Sequence, residues 1–264
     1  MNPPPVNVIC MKWGTLYGPE YVRALHRGVS RHLRRAHRFV CFTDDATGLG
    51  PEIECRPLPV LNLPSGQRDT RWRKLAVFGP RLDDLSGSTL FLDLDLVVVD
   101  ALDPFFEMPT AVSGAVPLIR DDDLFRHKPL RRLRPERDRF LASVGNSSVF
   151  RFEIGAHADL LDEYLDDPVG ATQRYERSQE FQSAALARRG QLAYWPKGWC
   201  VSFKNDCVPR HIRSYFGDPT VPAGARIVVF AGNLKMTEVL AGGGHRLHRH
   251  IGRVDWLHQA WQGS

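Results

Sequence analysis

Two rhythms of apolar and polar positions run along this chain. Val6 to Met11 and Arg38 to Thr43 are short apolar runs of strand length. Between them Tyr21, Leu25, Val29 and Leu33 recur at every fourth position, which is the stripe of an amphipathic helix. The opening therefore reads β-α-β. A second helix is expected over Arg71 to Phe78, stopped by Gly79-Pro80. Thr89 to Leu92 reads as a buried strand, and Leu96 to Val99 as its continuation after a polar interruption. Further strands are expected at Val112 to Val116, Ser147 to Phe152, Leu192 to Trp195 and Ile227 to Phe230, with helices at Ala156 to Leu165 and Gln179 to Arg189. Strands alternating with helices predict an α/β fold, a mostly parallel sheet covered by crossover helices. No internal repeat is visible. Arg120 to Arg139 is crowded with charge and reads as a surface loop or short helix, and Gly242 to Gly244 open a polar tail bearing histidines.

Composition narrows the classes. The chain has 264 residues, 43% hydrophobic and 25% charged, an ordinary soluble globular make-up for one large domain or two small ones. No apolar run approaches the roughly 18 residues of a membrane span. Met1 to Pro5 lacks the charged and apolar regions of a signal peptide, so a cytoplasmic location is expected. The net charge of +5 rests mostly on arginine, because only six of the 35 basic residues are lysine. Arginine favours phosphate contacts, and a compositional bias produces the same excess. Arg131-Arg132-Leu133-Arg134 lacks interleaved aromatics, which argues against nucleic acid. A solvated loop explains that run, as does attraction to anionic lipid or glycan at the inner membrane face. The five cysteines are odd in number and show no C-x-x-C spacing, so neither a disulfide framework nor a zinc site is expected.

The sharpest chemical feature is Phe91-Leu92-Asp93-Leu94-Asp95-Leu96-Val97-Val98-Val99-Asp100. Carboxylates two apart on a strand point to one face, so Asp93 and Asp95 could meet one hard cation. Apolar neighbours bury the segment, where unpartnered anions are costly. The plainer alternative is a strand end whose aspartates cap the next turn. The first strand runs into Met11-Lys12-Trp13-Gly14-Thr15, where a cation, a close backbone approach and a hydroxyl could receive a nucleotide. The second ends in Thr43-Asp44-Asp45, whose carboxylates could accept from a base or ribose, or only cap a helix. Arg71, Arg73 and Lys74 add cations just before the aspartate pair, suited to a diphosphate or to a solvated helix face.

Together Met11-Lys12-Trp13-Gly14-Thr15-x-Tyr17-Gly18, Phe42-Thr43-Asp44-Asp45, Trp72-Arg73-Lys74-Leu75 and Phe91-Leu92-Asp93-Leu94-Asp95 resemble bacterial nucleotide-sugar glycosyltransferases of the GT-A fold, close to retaining glycosyltransferase family eight. The resemblance is continuous over roughly the first 100 residues and patchier later. Gly145-Asn146-Ser147-Ser148 is similar to that family's Asn-Ser-Gly strand, Ser178-Gln179 to its Asp-Gln pair, and Phe230-Ala231-Gly232-Asn233-Leu234-Lys235 to its Phe-His-Gly-x-x-Lys. The resemblance implies one Rossmann-like GT-A domain with a nucleotide-sugar half over about residues 1–110 and an acceptor half over about 111–264. It implies Mn2+ or Mg2+ on Asp93 and Asp95, and a UDP-sugar held by Met11, Lys12, Trp13, Gly14, Thr15, Asp44, Lys74, Asp93, Leu94, Asp95, Gly232 and Lys235. Asn146 and Gln179 would line the reacting sugar as catalytic residues, and the acceptor would be a glycan or lipid-linked.

The chain departs from that pattern at three places. Ala231 stands where the family has a metal-binding histidine, Met236 replaces a proline, and Ser178 replaces the aspartate beside Gln179. His245, His248 or His250 could substitute for the missing imidazole, or form only a basic surface. These departures open a second expectation, a GT-A domain that binds nucleotide or glycan without turnover. Asp93-Leu94-Asp95 also loosely resembles the nucleophile motif of haloacid-dehalogenase-like phosphatases, although two strands precede it and no late Gly-Asp-x-x-x-Asp follows.

Overall fold

The computed structural model describes residues 4–67, 70–124, 140, 142–209, 214, 216–230, 232, 234–242, 251–252 and 254–262. The chain runs through β1 (Val6–Lys12), α1 (Pro19–His32), β2 (His37–Thr43) and β3 (Glu54–Pro57) into a 3₁₀ helix (Thr70–Phe78). β4 (Ser88–Leu92), β5 (Leu96–Val98), α2 (Asp103–Glu107), β6 (Val116–Arg120), α3 (Asp121–Leu124), β7 (Gly145–Asn146) and β8 (Val149–Glu153) follow. Next come α4 (Ala158–Asp166), α5 (Pro168–Arg174), α6 (Ser178–Arg188), β9 (Leu192–Tyr194) and β10 (Cys200–Ser202). A π-helical turn (Phe203–Cys207), β11 (Ile227–Val229), α7 (Met236–Leu240) and α8 (Asp255–Gln262) complete it.

The central sheet has the order β3-β2-β1-β4-β8, with β8 alone antiparallel to its neighbour. The two-residue period of these strands feeds two cores. Val6, Val8, Cys10, Phe39, Cys41, Leu90 and Leu92 face α1, β5, β10, β11 and the C-terminal helices. Ile9, Met11, Val40, Phe42 and Phe91 face the 3₁₀ helix, α4 and α6. Both faces are covered, which is why the strands read as nearly unbroken apolar runs. In α1, Pro19 opens the first turn, and Tyr21, Val22, Leu25 and Val29 are buried against the sheet. The mixed α/β architecture agrees with the expectation from sequence. Among the described residues no helix is long and apolar enough to cross a membrane.

Four expectations are corrected. Leu96 to Val98 does not continue β4. It leaves the central sheet and pairs antiparallel with β11 in a second sheet of order β10-β11-β5. The strand expected at Val112 to Val116 begins only at Val116, because a turn closed by Ala115 N–H on the Val112 carbonyl precedes it. Ser147 to Phe152 is interrupted: Ser147 and Ser148 form the turn between β7 and β8. The element over Thr70–Phe78 is helical but wound as 3₁₀. α6 is the opposite of an amphipathic helix. Ser178, Glu180, Phe181, Gln182, Ser183, Ala185 and Leu186 are all buried, so the helix is enclosed on several sides.

Candidate active site

The Asp93-Leu94-Asp95 segment is the link where the chain passes from one sheet to another. β4 ends at Leu92, and the next three residues form a bend before β5. Their backbone is pinned from two sides. Asp93 N–H donates to the Ser148 carbonyl at 2.9 Å, and Phe230 N–H donates to the Asp95 carbonyl at 2.7 Å. The alternation argument that put both carboxylates on one strand face therefore does not hold. They are brought together by the bend. Leu94 between them is 4% exposed and packs in the first core, which anchors the bend.

The two carboxylates have different surroundings. Lys74 Nζ lies 2.5 Å from Asp93 and 5.5 Å from the Phe91 ring centroid, so the 3₁₀ helix supplies a cation to this acid. Asp95 Oδ1 is enclosed and has no hydrogen-bond partner among the described residues. Burial first, and then the charge of Asp93, push the Asp95 carboxyl up to about 7, against the opposing pull of Lys74. Tyr17 stands within hydrogen-bonding reach of Asp95, and its own phenol is pushed up, mainly by burial and then by Asp95 and Asp93. Tyr17 packs edge-to-face on Tyr21 at 4.9 Å, and the Tyr21 hydroxyl meets Thr237 Oγ1 at 2.9 Å.

The loop after β1 lies at the same sheet edge. Met11 is 4% exposed and belongs to the second core, with Trp13 packed against it from the rim. Lys12 is buried, and its ammonium donates to the Asp45 carbonyl at 3.2 Å. Trp13 Nε1 donates to Thr70 Oγ1 at 3.1 Å, tying the loop to the 3₁₀ helix that carries Lys74. Gly14 adopts φ +60°, a region costly for other residues, and its N–H donates to Asp44 Oδ2 at 2.9 Å. Asp44 thus orders the loop. Thr15 is exposed.

The third group enters through β7 and α6. Asn146 is buried, and its Oδ1 accepts from Ser148 N–H at 2.9 Å, shaping the turn whose carbonyl holds Asp93. Gln179 Nε2 donates to Asp121 Oδ1 at 3.1 Å. Ser178, which stands in the place of the expected aspartate, is buried and donates to the Arg71 carbonyl at 3.4 Å. At the C-terminal side, Gly232 is exposed with φ +102°, and Lys235 precedes α7, its N–H donating to Glu238 Oε2 at 3.2 Å. The loop bearing these two leaves from Phe230, the residue bound to Asp95. Ala231, Asn233, His245, His248, His250 and the Arg131–Arg134 run lie outside the described residues.

The bend, the loop after β1 and the β7–β8 turn converge through these bonds. Two participants were not singled out as site residues by sequence reasoning. Tyr17 lies inside the Met11–Gly18 motif, whose pattern gives it no role of its own. Asp121 follows β6 as Asp93 follows β4, but the surrounding charge of Arg120 to Arg139 hides that signal in the sequence.

No family model matches the sequence, and no curated protein matches it. Solved structures do match. The galactosyltransferase LgtC, in complex with donor and acceptor sugar analogues, superposes with a TM-score of 0.58 at 12% identity, over 97% of this chain and 95% of its own. An LgtC active-site mutant, glutamine to glutamate, gives the same figures. The apo bifunctional glycosyltransferase WbbM matches with a TM-score of 0.55 at 11% identity, over 88% of this chain. The chain spans about half of WbbM, 46% of its length. At these identities the likeness is one of fold. The chain has the mixed α/β, single-domain GT-A fold of glycosyltransferases.

Proposed function

We propose that this protein is a glycosyltransferase that moves a sugar from a UDP-sugar donor to a glycan or lipid-linked acceptor, with a divalent cation and with retention of configuration. The observation that carries the reading is the Asp93–Asp95 bend, where one carboxylate oxygen is buried without a partner among the described residues. A buried carboxylate left this way is costly, and a hard cation relieves the cost. Asp93 and Asp95 supply the oxygen donors that Mn2+ or Mg2+ takes, so the residues present fit such an ion. Among the described residues no group of three or more histidine, cysteine or acidic side chains forms a ligand set. Diphosphate oxygens and water would complete the coordination. When bound, the cation supplies charge neutralisation to the departing nucleoside diphosphate.

The chain's own residues divide the rest of the work. Lys74 keeps a positive charge beside the aspartates, and Lys235 and Gly232 offer charge and backbone to the leaving group from the far side. Lys12, Trp13, Gly14 and Thr15, ordered by Asp44, receive the nucleotide, with Met11 and Leu94 holding their segments to the cores. Asn146 and Gln179 line the sugar. LgtC was solved with donor and acceptor sugar analogues, and one of its active-site mutants changes a glutamine to glutamate, so a glutamine belongs to the active site of a transferase of this fold. In this division residues 1–110 are the donor half and 111–264 the acceptor half, which meets its acceptor at the inner face of the membrane.

The Lys74–Asp93 pair favours a second reading, nucleotide or glycan binding without turnover, because one of the two carboxylates already has a cation. One experiment separates them. Calorimetry should show UDP binding tightened by Mn2+, and Mn2+-dependent release of UDP from UDP-glucose or UDP-galactose marks the transferase. Tight UDP binding with no turnover of either donor selects the binding domain. No UDP binding removes the transferase reading and leaves only the glycan-binding form of the second.

A further inference from the structure

Asp121 is 6% exposed where β6 gives way to α3. A closed ring of hydrogen bonds passes through it. Gln179 Nε2 donates to Asp121 Oδ1 at 3.1 Å, and Ser183 Oγ donates to the Gln179 carbonyl at 2.7 Å. Gly145 N–H donates to Ser183 Oγ at 2.8 Å, and Asp121 N–H donates to the carbonyl of neighbouring Val144 at 3.1 Å. The ring ties β6, α6 and the strand that carries Asn146. Val144, Gly145 and Ser183 are buried along with Asp121, whereas Gln179 is partly exposed.

The chemistry of this pair decides which way the amide faces. An amide presents a donor at one end and an acceptor at the other, and nothing intrinsic selects between them. An ionised carboxylate only accepts, so Gln179 must turn its NH2 toward Asp121. The end left over is Oε1, an acceptor. We propose that Asp121 is a positioning residue that sets the Gln179 amide with its oxygen available to a hydroxyl of the donor sugar. The inference rests on the donor-site reading, in which Gln179 lines that sugar. It adds the polarity of the contact: the group recognised donates a hydrogen bond.

The polarity makes a reciprocal test possible. Gln179→Glu opposes two carboxylates and displaces the side chain. Adding Asp121→Asn restores a donor–acceptor pair with the roles exchanged, the asparagine NH2 on one glutamate oxygen and the other oxygen facing the sugar. Calorimetry on the full chain with Mn2+ would compare UDP with UDP-galactose and UDP-glucose. Gln179→Glu is expected to weaken the sugar nucleotide that the wild type prefers by about 10-fold, the worth of one good hydrogen bond, and to spare UDP. The double variant should recover most of that loss. Asp121→Ala in a Gln179→Ala background should add nothing, since residues acting as one unit are not additive. A double variant no better than Gln179→Glu, or additive alanine losses, would overturn the inference while leaving UDP binding intact. Absence of UDP binding in the wild type would instead overturn the donor-site reading, and the inference with it.

Discussion

Two buried strands of this protein run directly into aspartates, and the two ends are built to opposite rules. At the end of β6, Asp121 is met by the Gln179 amide and fixed by its own backbone bond to Val144. At the end of β4, Asp93 is met by Lys74, but Asp95 keeps a buried oxygen with no partner among the described residues, and its carboxyl is pushed up to about 7. The first arrangement positions a neighbour. The second stores an unfavourable burial that a ligand can relieve. Charge alone would make the two ends look alike; the unpartnered Asp95 oxygen, among the described residues, separates them.

The largest expected effect comes from removing the stored cost. Asp95→Asn should abolish the Mn2+-dependent part of UDP affinity, a loss of 10-fold or more, as expected when a ligand to a hard cation goes. The same change should raise the melting temperature of the metal-free protein, because a neutral amide replaces a carboxylate that resists ionisation. Calorimetry and thermal melts report the two halves independently. An unchanged Mn2+ response would place the cation elsewhere.

Next in size is the pH dependence of the metal-free protein. The Asp95 carboxyl titrates near 7 in the folded chain and near 3.8 when unfolded. Between these values the folded chain holds the extra proton, so stability falls as pH rises and the loss is complete above about 7. Asp159 and Asp84, both held below the usual range chiefly by hydrogen bonds from arginine, act the opposite way. Their stabilisation is present above the unfolded value and is lost only as pH falls below about 4. His26, His32 and His157, held below their ordinary value chiefly by burial, act against Asp95 in the same window, costing stability as pH falls through about 6.5. The Asp95 contribution is therefore read as the difference between wild type and Asp95→Asn in chelator melts from pH 4.5 to 7.5, where the variant's advantage should grow by a few degrees, on the order of 3–6 °C, toward the upper end. A difference that stays constant across the window would show that Asp95 does not titrate in it.

Lys74→Ala should have a smaller and two-sided effect. The lysine is 11% exposed and neutralises Asp93, so its loss leaves two neighbouring carboxylates unopposed. The metal-free protein should melt lower, excess Mn2+ should restore it, and Mn2+ alone should bind more tightly, since a competing cation is gone. UDP affinity in the presence of Mn2+ should fall, because the diphosphate loses a charge partner. A large drop in melting temperature that Mn2+ does not reverse would make Lys74 a packing residue.

How much of this was legible in the chain depends on the range of the signal. β1, α1, β2, α4, β9 and β11 carry local periodicity or unbroken apolar runs, and each lies within a residue or two of expectation. The departure of β5 to another sheet could not be read, because Leu96 to Val98 is apolar whichever partner it has, and β11 lies more than a hundred residues away. Short elements such as β3, α2 and β10 have too few residues for a period to show. Asp93, Asp95 and Lys74 stood out as charges in or beside apolar runs, and the structure does bring them together. Which carboxylate would be paired and which left alone is a tertiary property, set by the 3₁₀ helix and by β11. Asp121 and Tyr17 act through partners distant in sequence, so no spacing announced them.

The smallest expected effect sharpens the contrast between the two ends at the level of a single hydroxyl. Tyr17 stands beside Asp95 and packs on Tyr21, which reaches Thr237 in α7. Tyr17→Phe keeps the ring and its edge-to-face contact, so it removes only a donor from the neighbourhood of the buried carboxylate. Side chains that orient a metal-binding carboxylate without touching the ion typically matter by about 10-fold in metal affinity. Mn2+ affinity should therefore fall by up to that amount, while Kd for UDP without metal stays the same. Substituting Tyr21→Phe instead should leave Mn2+ binding untouched and lower the melting temperature slightly, because among the described residues its hydroxyl meets Thr237. If both variants behave alike, the aromatic pair is packing and nothing more. If they diverge as expected, the incomplete partnership of Asp95 is held open by a specific neighbour, as Gln179 is held by Asp121.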